Sequence, residues 1–260
     1  MSAINFREVL SATITMVVVV IAWEAVVRLF NVPDFLVPAP SAVWAEFASR
    51  SDLYATHTWI TLYETLLGFL LAVVLGILAA IAIVYSPVLQ SVVYPVILIL
   101  QIVPKVAIAP LLLIWIGYGL QSKATIALLV AFFPIVVSTA TGMRATEPEL
   151  LDLVKVLKGS RWQEFVKIRF PYSLPFIFSG LKVAITLAVI GAIIGEFVGG
   201  NEGLGYLIVI ANAQMRTAMS FTSFILLSIM GLVLFGLIVV LERLMVPWGV
   251  TEDEEIPVAL

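Results

Sequence analysis

The amino-acid sequence predicts an all-α integral membrane protein of six transmembrane helices, and three observations carry that reading. Of 260 residues, 62% are hydrophobic and 12% charged, against about 45–50% apolar and about 25% charged in soluble domains. The apolar residues gather in runs long enough to span a bilayer, which takes about 20 residues of helix. The one long polar stretch, residues 147–175 (EPELLDLVKVLKGSRWQEFVKIRFPYSLP), lies between such runs. At this length the chain reads as a single transmembrane domain over 1–260 with no sizeable soluble one. It has no cysteine, which excludes disulfides, thiolate metal sites and cysteine nucleophiles. The net charge of -3 takes its sign from the acidic tail, Glu252, Asp253, Glu254 and Glu255.

Helix one is expected from about Val9 to Phe30, preceded only by Arg7 and Glu8. A cleavable signal would have a shorter apolar region with small residues at the cut, whereas this run ends in the rigid VPDFLVPAP, so it reads as a helix. Glu24 and Arg28, four apart, can pair near its end. The proline-punctuated segment 33–58 is polar, with a short interfacial helix opening at Ser41. Helix two is expected from about Trp59 to Val84 and helix three from about Leu89 to Gly117, interrupted at Pro104-Lys105 and Pro110. Such breaks free backbone groups that lipid cannot satisfy, so they belong beside protein or a watery cavity. Helix four, Ala124 to Thr141, contains Pro134. Helix five runs from about Ser173 to Val198 and is followed by GGNEGLG. Leu204 to Ala213 is too short to span and is expected to dip back into the membrane. Helix six, about Phe221 to Val246, precedes Pro247.

Six spans leave both termini on one side. The polar island holds Lys155, Lys158, Arg161, Lys167 and Arg169, with Arg144 just before it and Arg7 and Arg243 on the same side, whereas the opposite loops hold Arg50, Lys123 and Arg216. The positive-inside rule therefore makes the island and both termini cytoplasmic.

The island parses as two short helices. Thr146 with Glu149 and Ser160 with Gln163 each fit a capping box, which satisfies orphan N–H groups at a helix start. The first helix carries Leu150, Leu153, Val154 and Leu157 on one stripe, with Gly159 as its stop. The second presents Trp162, Phe165 and Val166 beside Arg161, Lys167 and Arg169, and is expected to run out at Pro171. Its greasy side admits three readings. A basic amphipathic hairpin on headgroups would use the same residue types. A DNA-binding helix-turn-helix, tethered at both ends to a bilayer, would not reach a major groove, so no nucleic acid is expected. The preferred reading is an apolar knob inserted into a soluble partner.

No catalytic constellation and no metal site is visible. His57, the only histidine, reads as a solvated loop residue. Gly117 to Lys123 lacks the second glycine of a P-loop, and Gly200 to Gly205 has the wrong spacing for a dinucleotide turn. Ionisable residues within spans are more telling, each costing roughly 2.5–3.5 kcal/mol at a helix centre. Lys105 follows a proline break one turn after Gln101, and reads either as a path-lining cation or as a structural lysine paired with Glu196 or Glu64. Glu196 precedes the mobile GGNEGLG and reads as a gate or as a packing residue. Glu64 and Lys182 are expected to reach an interface from near helix ends. The candidates for a translocation path or gate are Gln101, Lys105, Glu196, Asn201 and Glu202.

The island resembles the cytoplasmic motif of binding-protein-dependent ABC importer permeases: E-A-A, three residues, G, nine residues, I-x-L-P. Asp152-Leu153-Val154 stands at E-A-A, Lys158 at the glycine with Gly159 one step on, and Ile168, Phe170 and Pro171 at I-x-L-P. VPKVAIAPLLLIWIGYGLQSK, GSRWQEFVKIRFPYSLPFIFSGLKVA and IGEFVGGNEGLGYLI resemble the nitrate, sulfonate, taurine and pyrimidine-precursor branch of these permeases. The resemblance implies a type I ABC importer permease fold in the bacterial inner membrane, with a coupling-helix insert at about 144–172. It implies a homodimer with two ATPase subunits and an extracytoplasmic solute-binding protein. The ATPase-coupling residues it implies are Glu149, Asp152, Leu153, Leu157, Gly159, Arg161, Trp162, Phe165 and Pro171. This chain would bind no cofactor, with ATP and Mg on the partner. GEFVGG and FPYSLP resemble permeases for pyrimidine precursors, riboflavin or aromatic acids more than those for nitrate. The rivals are a secondary transporter driven by an ion gradient, with Lys105 and Glu196 as a relay, and a membrane-embedded enzyme using Asp/Glu. No convincing internal repeat supports the first.

Overall fold

The computed structural model describes residues 6–248, and no strand occurs among them. The acidic tail at 252–255 lies outside the described residues. The helices are α1 (Phe6–Leu29), α2 (Pro40–Ser49), α3 (Ser51–Tyr85), α4 (Tyr94–Ile102), α5 (Ala109–Ile116), α6 (Leu120–Arg144), α7 (Pro148–Val156), α8 (Arg161–Glu164), α9 (Phe170–Gly199), α10 (Leu204–Ala213) and α11 (Thr217–Met245). Wide π turns at Leu89–Val93 and Phe165–Arg169 lead into α4 and α9, and a tight 3₁₀ turn at Lys105–Ile108 leads into α5.

The all-α membrane class holds, but the count of six is not reproduced. Among the described residues, α3, α6, the continuous stretch Arg161–Gly199 and α11 are long and apolar enough to cross a bilayer. Helices α4 and α5 supply a fifth span only if taken together, and they meet at 87°. α1 contains the remaining predicted run, helical over 24 residues, outside that count. The bend has a chemical cause. Val103 and Pro104 both adopt extended backbone, ending α4, and the chain re-enters helix with Pro110 in the first turn of α5, where a missing N–H goes unmissed.

The chain falls into two compact units. The first comprises Met1–Ile60 and Glu202–Ser228. Here the expected Glu24–Arg28 pair forms at 2.5 Å, and Glu24 also accepts hydrogen bonds from the Ser41 N–H and hydroxyl. Helix α3 starts at Ser51, well before the predicted Trp59, because its polar first turns find partners. Tyr54 is buried with its hydroxyl 3.2 Å from Glu46 Oε1, which also receives Arg216 at 3.0 Å. His57 corrects the solvated-loop expectation. It is half-buried on α3, its Nδ1 accepts the Gly203 N–H at 2.9 Å, and its ring stacks on Tyr206. Gly203 has φ +107, a left-handed backbone that favours glycine, and it caps α10.

The second unit comprises Thr61–Asn201 and Ile229–Leu260. Its centre is the close pairing of α6 with α9. Gly180, Ala184, Ala188 and Ala192 form a buried stripe on α9, and Ala124, Ala127 and Ala131 are buried on α6; Gly180 lies against Ser138 and Gly191 against Ala127. A Cβ on Gly191 would lie 2.6 Å from the Ala127 Cα, so this approach admits no side chain. Lipid tails give helices no hydrophobic reason to associate, and small residues that bring backbones together supply the packing instead. Lys182 pairs with Glu242 of α11 at 3.0 Å rather than reaching an interface.

Candidate functional site

The polar island forms a capped hairpin. At its second helix the expected box is present: the Ser160 hydroxyl accepts the Gln163 N–H at 3.2 Å, and Gln163 Oε1 accepts the Ser160 N–H at 2.8 Å. The predicted Thr146–Glu149 box does not form. Pro148, fixed near helical φ, occupies the first helical position, so Glu147 becomes the cap without a side-chain bond. Thr146 is buried, and its hydroxyl donates to the Met143 carbonyl at 3.1 Å.

The turn between the helices is a Schellman motif. The Gly159 N–H donates to the Val154 carbonyl at 2.8 Å and the Lys158 N–H to the Lys155 carbonyl at 3.0 Å. Lys158, not Gly159, takes the left-handed conformation, φ +52. Gly159 is needed for another reason: a Cβ there would lie 2.6 Å from the Val154 side chain.

Leu150, Leu151 and Val154 are half-buried, whereas Leu153, Val156 and Leu157 are exposed and Trp162 is 70% exposed. The hairpin therefore presents an apolar knob outward, and Lys155, Lys158, Arg161 and Lys167 of the same hairpin are exposed as well. Asp152 and Lys155 pair at 2.8 Å, and that hydrogen bond raises the Lys155 ammonium above the usual lysine range. Glu149 lies exposed in the first turn of α7 and Arg161 opens α8. Phe165 is half-buried and bridges the knob to the bundle: its ring lies 5.8 Å from Trp162, 5.7 Å from Phe170 and 6.1 Å, edge-on, from Tyr85.

The second helix does not run out at Pro171. The π turn at Phe165–Arg169 carries the chain directly into α9, with the Phe170 N–H bonded to the Phe165 carbonyl. Pro171 falls in the first turn of α9, where its missing N–H is tolerated.

The path candidates separate. Lys105 pairs with neither acid; its ammonium donates to the Gln101 carbonyl and lies 4.7 Å from the Phe133 ring centroid. Asn201 and Glu202 are exposed in the turn before α10. Glu196 is buried, and Thr61 donates to its Oε1 at 2.6 Å. Beside it lies a feature absent from the sequence reading, a buried ion pair between Lys123 and Glu64 at 2.7 Å, each only 2% exposed. Lys123 was expected in an outer loop and Glu64 near an interface. They are instead drawn inward by the small residues around them: Gly68, one turn after Glu64, approaches Ala127, and Gly195 approaches Lys123. That recurrence of glycine beside each acid was the available sequence signal. Lys123 pairs with Glu64, and Glu196, held by Thr61, lies close to Glu64, so three helices contribute to one buried polar cluster.

Long apolar helices with small-residue packing and a bent helix pair define a polytopic membrane protein. The chain belongs to the family of binding-protein-dependent transport system inner membrane components, whose pattern it matches over residues 72–248. It is 33% identical over 242 residues, 93% of this chain and 96% of the relative, to the formylaminopyrimidine transport permease protein ThiX of Halalkalibacterium halodurans. It is 35% identical over 241 residues, 92% of this chain and 90% of the relative, to the riboflavin transport system permease protein RibX of Chloroflexus aurantiacus. The fold is that of a subunit in an inward-facing structure of the MetNI methionine ABC transporter, with TM-score 0.65 and 17% identity over 74% of this chain and 96% of that one. This membership does not favour the ion-gradient alternative.

Proposed function

We propose that this chain is the translocating subunit of an ATP-driven importer for a small organic or anionic solute, and that its hairpin docks on a separate ATPase. The observation that carries the reading is the outward knob of Leu153, Val156, Leu157 and Trp162 on a hairpin stiffened by a capping box and a Schellman turn. Exposed apolar patches of this kind mark interaction sites. The contact set is Glu149, Asp152, Leu153, Leu157, Arg161 and Trp162, while Gly159, Phe165 and Pro171 hold the hairpin's shape.

The whole chain, 1–260, works as one transmembrane domain with the coupling insert at about 144–172. It is paired with a second copy, two ATPase subunits and an extracytoplasmic solute-binding protein. The hairpin and both termini face the cytoplasm, in keeping with the island's positive charge. ATP and Mg belong to the partner, and this chain is not itself an enzyme. Closure of the ATPases displaces the hairpins, and α6 and α9 follow as a unit, switching access to the path. The bent pair α4–α5, with Gln101 and Lys105 at its break, lines that path, and Glu196, Asn201 and Glu202 stand at its outer end. The named cargoes of the two relatives, a formylaminopyrimidine and riboflavin, favour a pyrimidine precursor, riboflavin or aromatic acid over a sulfonate, taurine or nitrate. The solute that raises the melting temperature of the cognate binding protein identifies the cargo.

The docking is tested by copurification. The wild-type chain carries an ATPase subunit with it, and Trp162→Ala combined with Leu157→Asp weakens that association about 30-fold or more while membrane insertion is unchanged. An intact complex from the double variant contradicts the proposal.

A further inference from the structure

We infer that Arg169 is a positioning residue that joins the hairpin directly to the ends of α3 and α6, bypassing the π turn between α8 and α9. The inference rests on the docking role just proposed. Arg169 Nε donates to Glu164 Oε1 at 2.5 Å, and its Nη1 donates to the Met143 carbonyl at 3.1 Å. Its guanidinium carbon lies 5.9 Å from the centroid of the Tyr85 ring. Both charged side chains are 19% exposed.

Each contact belongs to a helix end. Glu164 closes α8, Met143 lies in the last turn of α6, and Tyr85 is the last residue of α3. The Met143 carbonyl is one of the last four of its helix, which lack intrahelical donors and carry the negative end of the helix dipole. A cation is favoured there. Only a planar guanidinium with several donors serves the carboxylate and the carbonyl together while lying near a ring; a lysine ammonium would keep the charge but not the geometry.

The need for such a junction lies in the π turn at Phe165–Arg169, the sole covalent route from the hairpin into α9. Wide turns of this kind interrupt the regular hydrogen-bond ladder, and a displacement of the hairpin would be taken up there by bending. Arg169, anchored to Glu164 before the turn and to α6 and α3 beyond it, makes the two sides move together. Phe165 packs edge-on against Tyr85 beside the junction.

The chain has no cysteine, so Tyr118→Cys, at an exposed position before α6 and far from the hairpin, gives a single labelling site. In the purified complex with its ATPase subunit, the maleimide labelling rate at this site is compared without nucleotide and after trapping with MgATP and vanadate. The otherwise wild-type complex shows a nucleotide-dependent change. Arg169→Lys reduces that change between about twofold and thirtyfold, while copurification and ATP hydrolysis stay at wild-type levels. Tyr85→Leu, which leaves Arg169 in place, reduces it less. Three results overturn the inference: an undiminished response in Arg169→Lys, no response at residue 118 before that substitution, or a loss of copurification in step with the loss of response. Failure of the wild-type chain to bring down an ATPase subunit contradicts the docking role instead.

Discussion

The two ends of the α6–α9 pair solve opposite problems. At one end Lys123 and Glu64 bury their charges against each other, with Glu196 and Thr61 alongside. At the other, Leu157 and Trp162 leave apolar surface exposed while Arg169 and Glu164 form the half-buried junction behind them. Twenty residues of α6 separate Lys123 from Met143, about 30 Å at the helical rise, which is the thickness of the hydrocarbon core. The lesson is that the closed end fixes how the helices pack and the open end makes that packing available to a partner. Charge inside and grease outside are both expensive placements, and each is tolerated only where it has a task.

The largest expected effect lies at the closed end. Lys123→Met removes the ammonium paired with buried Glu64 and destabilises the protein by about 3–5 kcal/mol, as breaking a buried pair does. Thermal unfolding in detergent measures it, and adding Glu64→Gln recovers most of the loss. An unchanged midpoint for the single variant would mean the pair bears no weight. The open end is built from smaller increments. Ser160→Ala removes the side-chain half of the capping box, costs about 1 kcal/mol, and shows as faster proteolysis between α7 and α8 with no change in global unfolding. If the whole protein unfolds earlier, the two ends are not independent. An effect of similar size has the opposite sign: Lys158→Gly relieves a left-handed lysine and slows the same proteolysis by an amount equivalent to about 1 kcal/mol.

What could be read from the chain was local. The Ser160–Gln163 box, the Glu24–Arg28 pair, the short helix after GGNEGLG and the breaks at Pro104 and Pro110 all follow from residues within a turn or two of each other. The Thr146 box failed because Pro148 starts the helix one residue later, and Pro171 failed as a stop because a π turn changes the register before it. The buried cluster was hidden for a different reason. Glu64, Lys123 and Glu196 come from separate helices, and nothing in their own neighbourhoods says which of them will meet. The family resemblance reached the hairpin, where the motif is contiguous, and had no purchase on that cluster.

Labelling of Leu157→Cys by a membrane-impermeant maleimide tests the hairpin's role most directly, in intact cells and in inverted vesicles with and without the assembled ATPase subunit. The expected result is labelling only in inverted vesicles, suppressed when the ATPase subunit is bound. Labelling from the outside of intact cells, or an equal rate with the ATPase subunit in place, contradicts it.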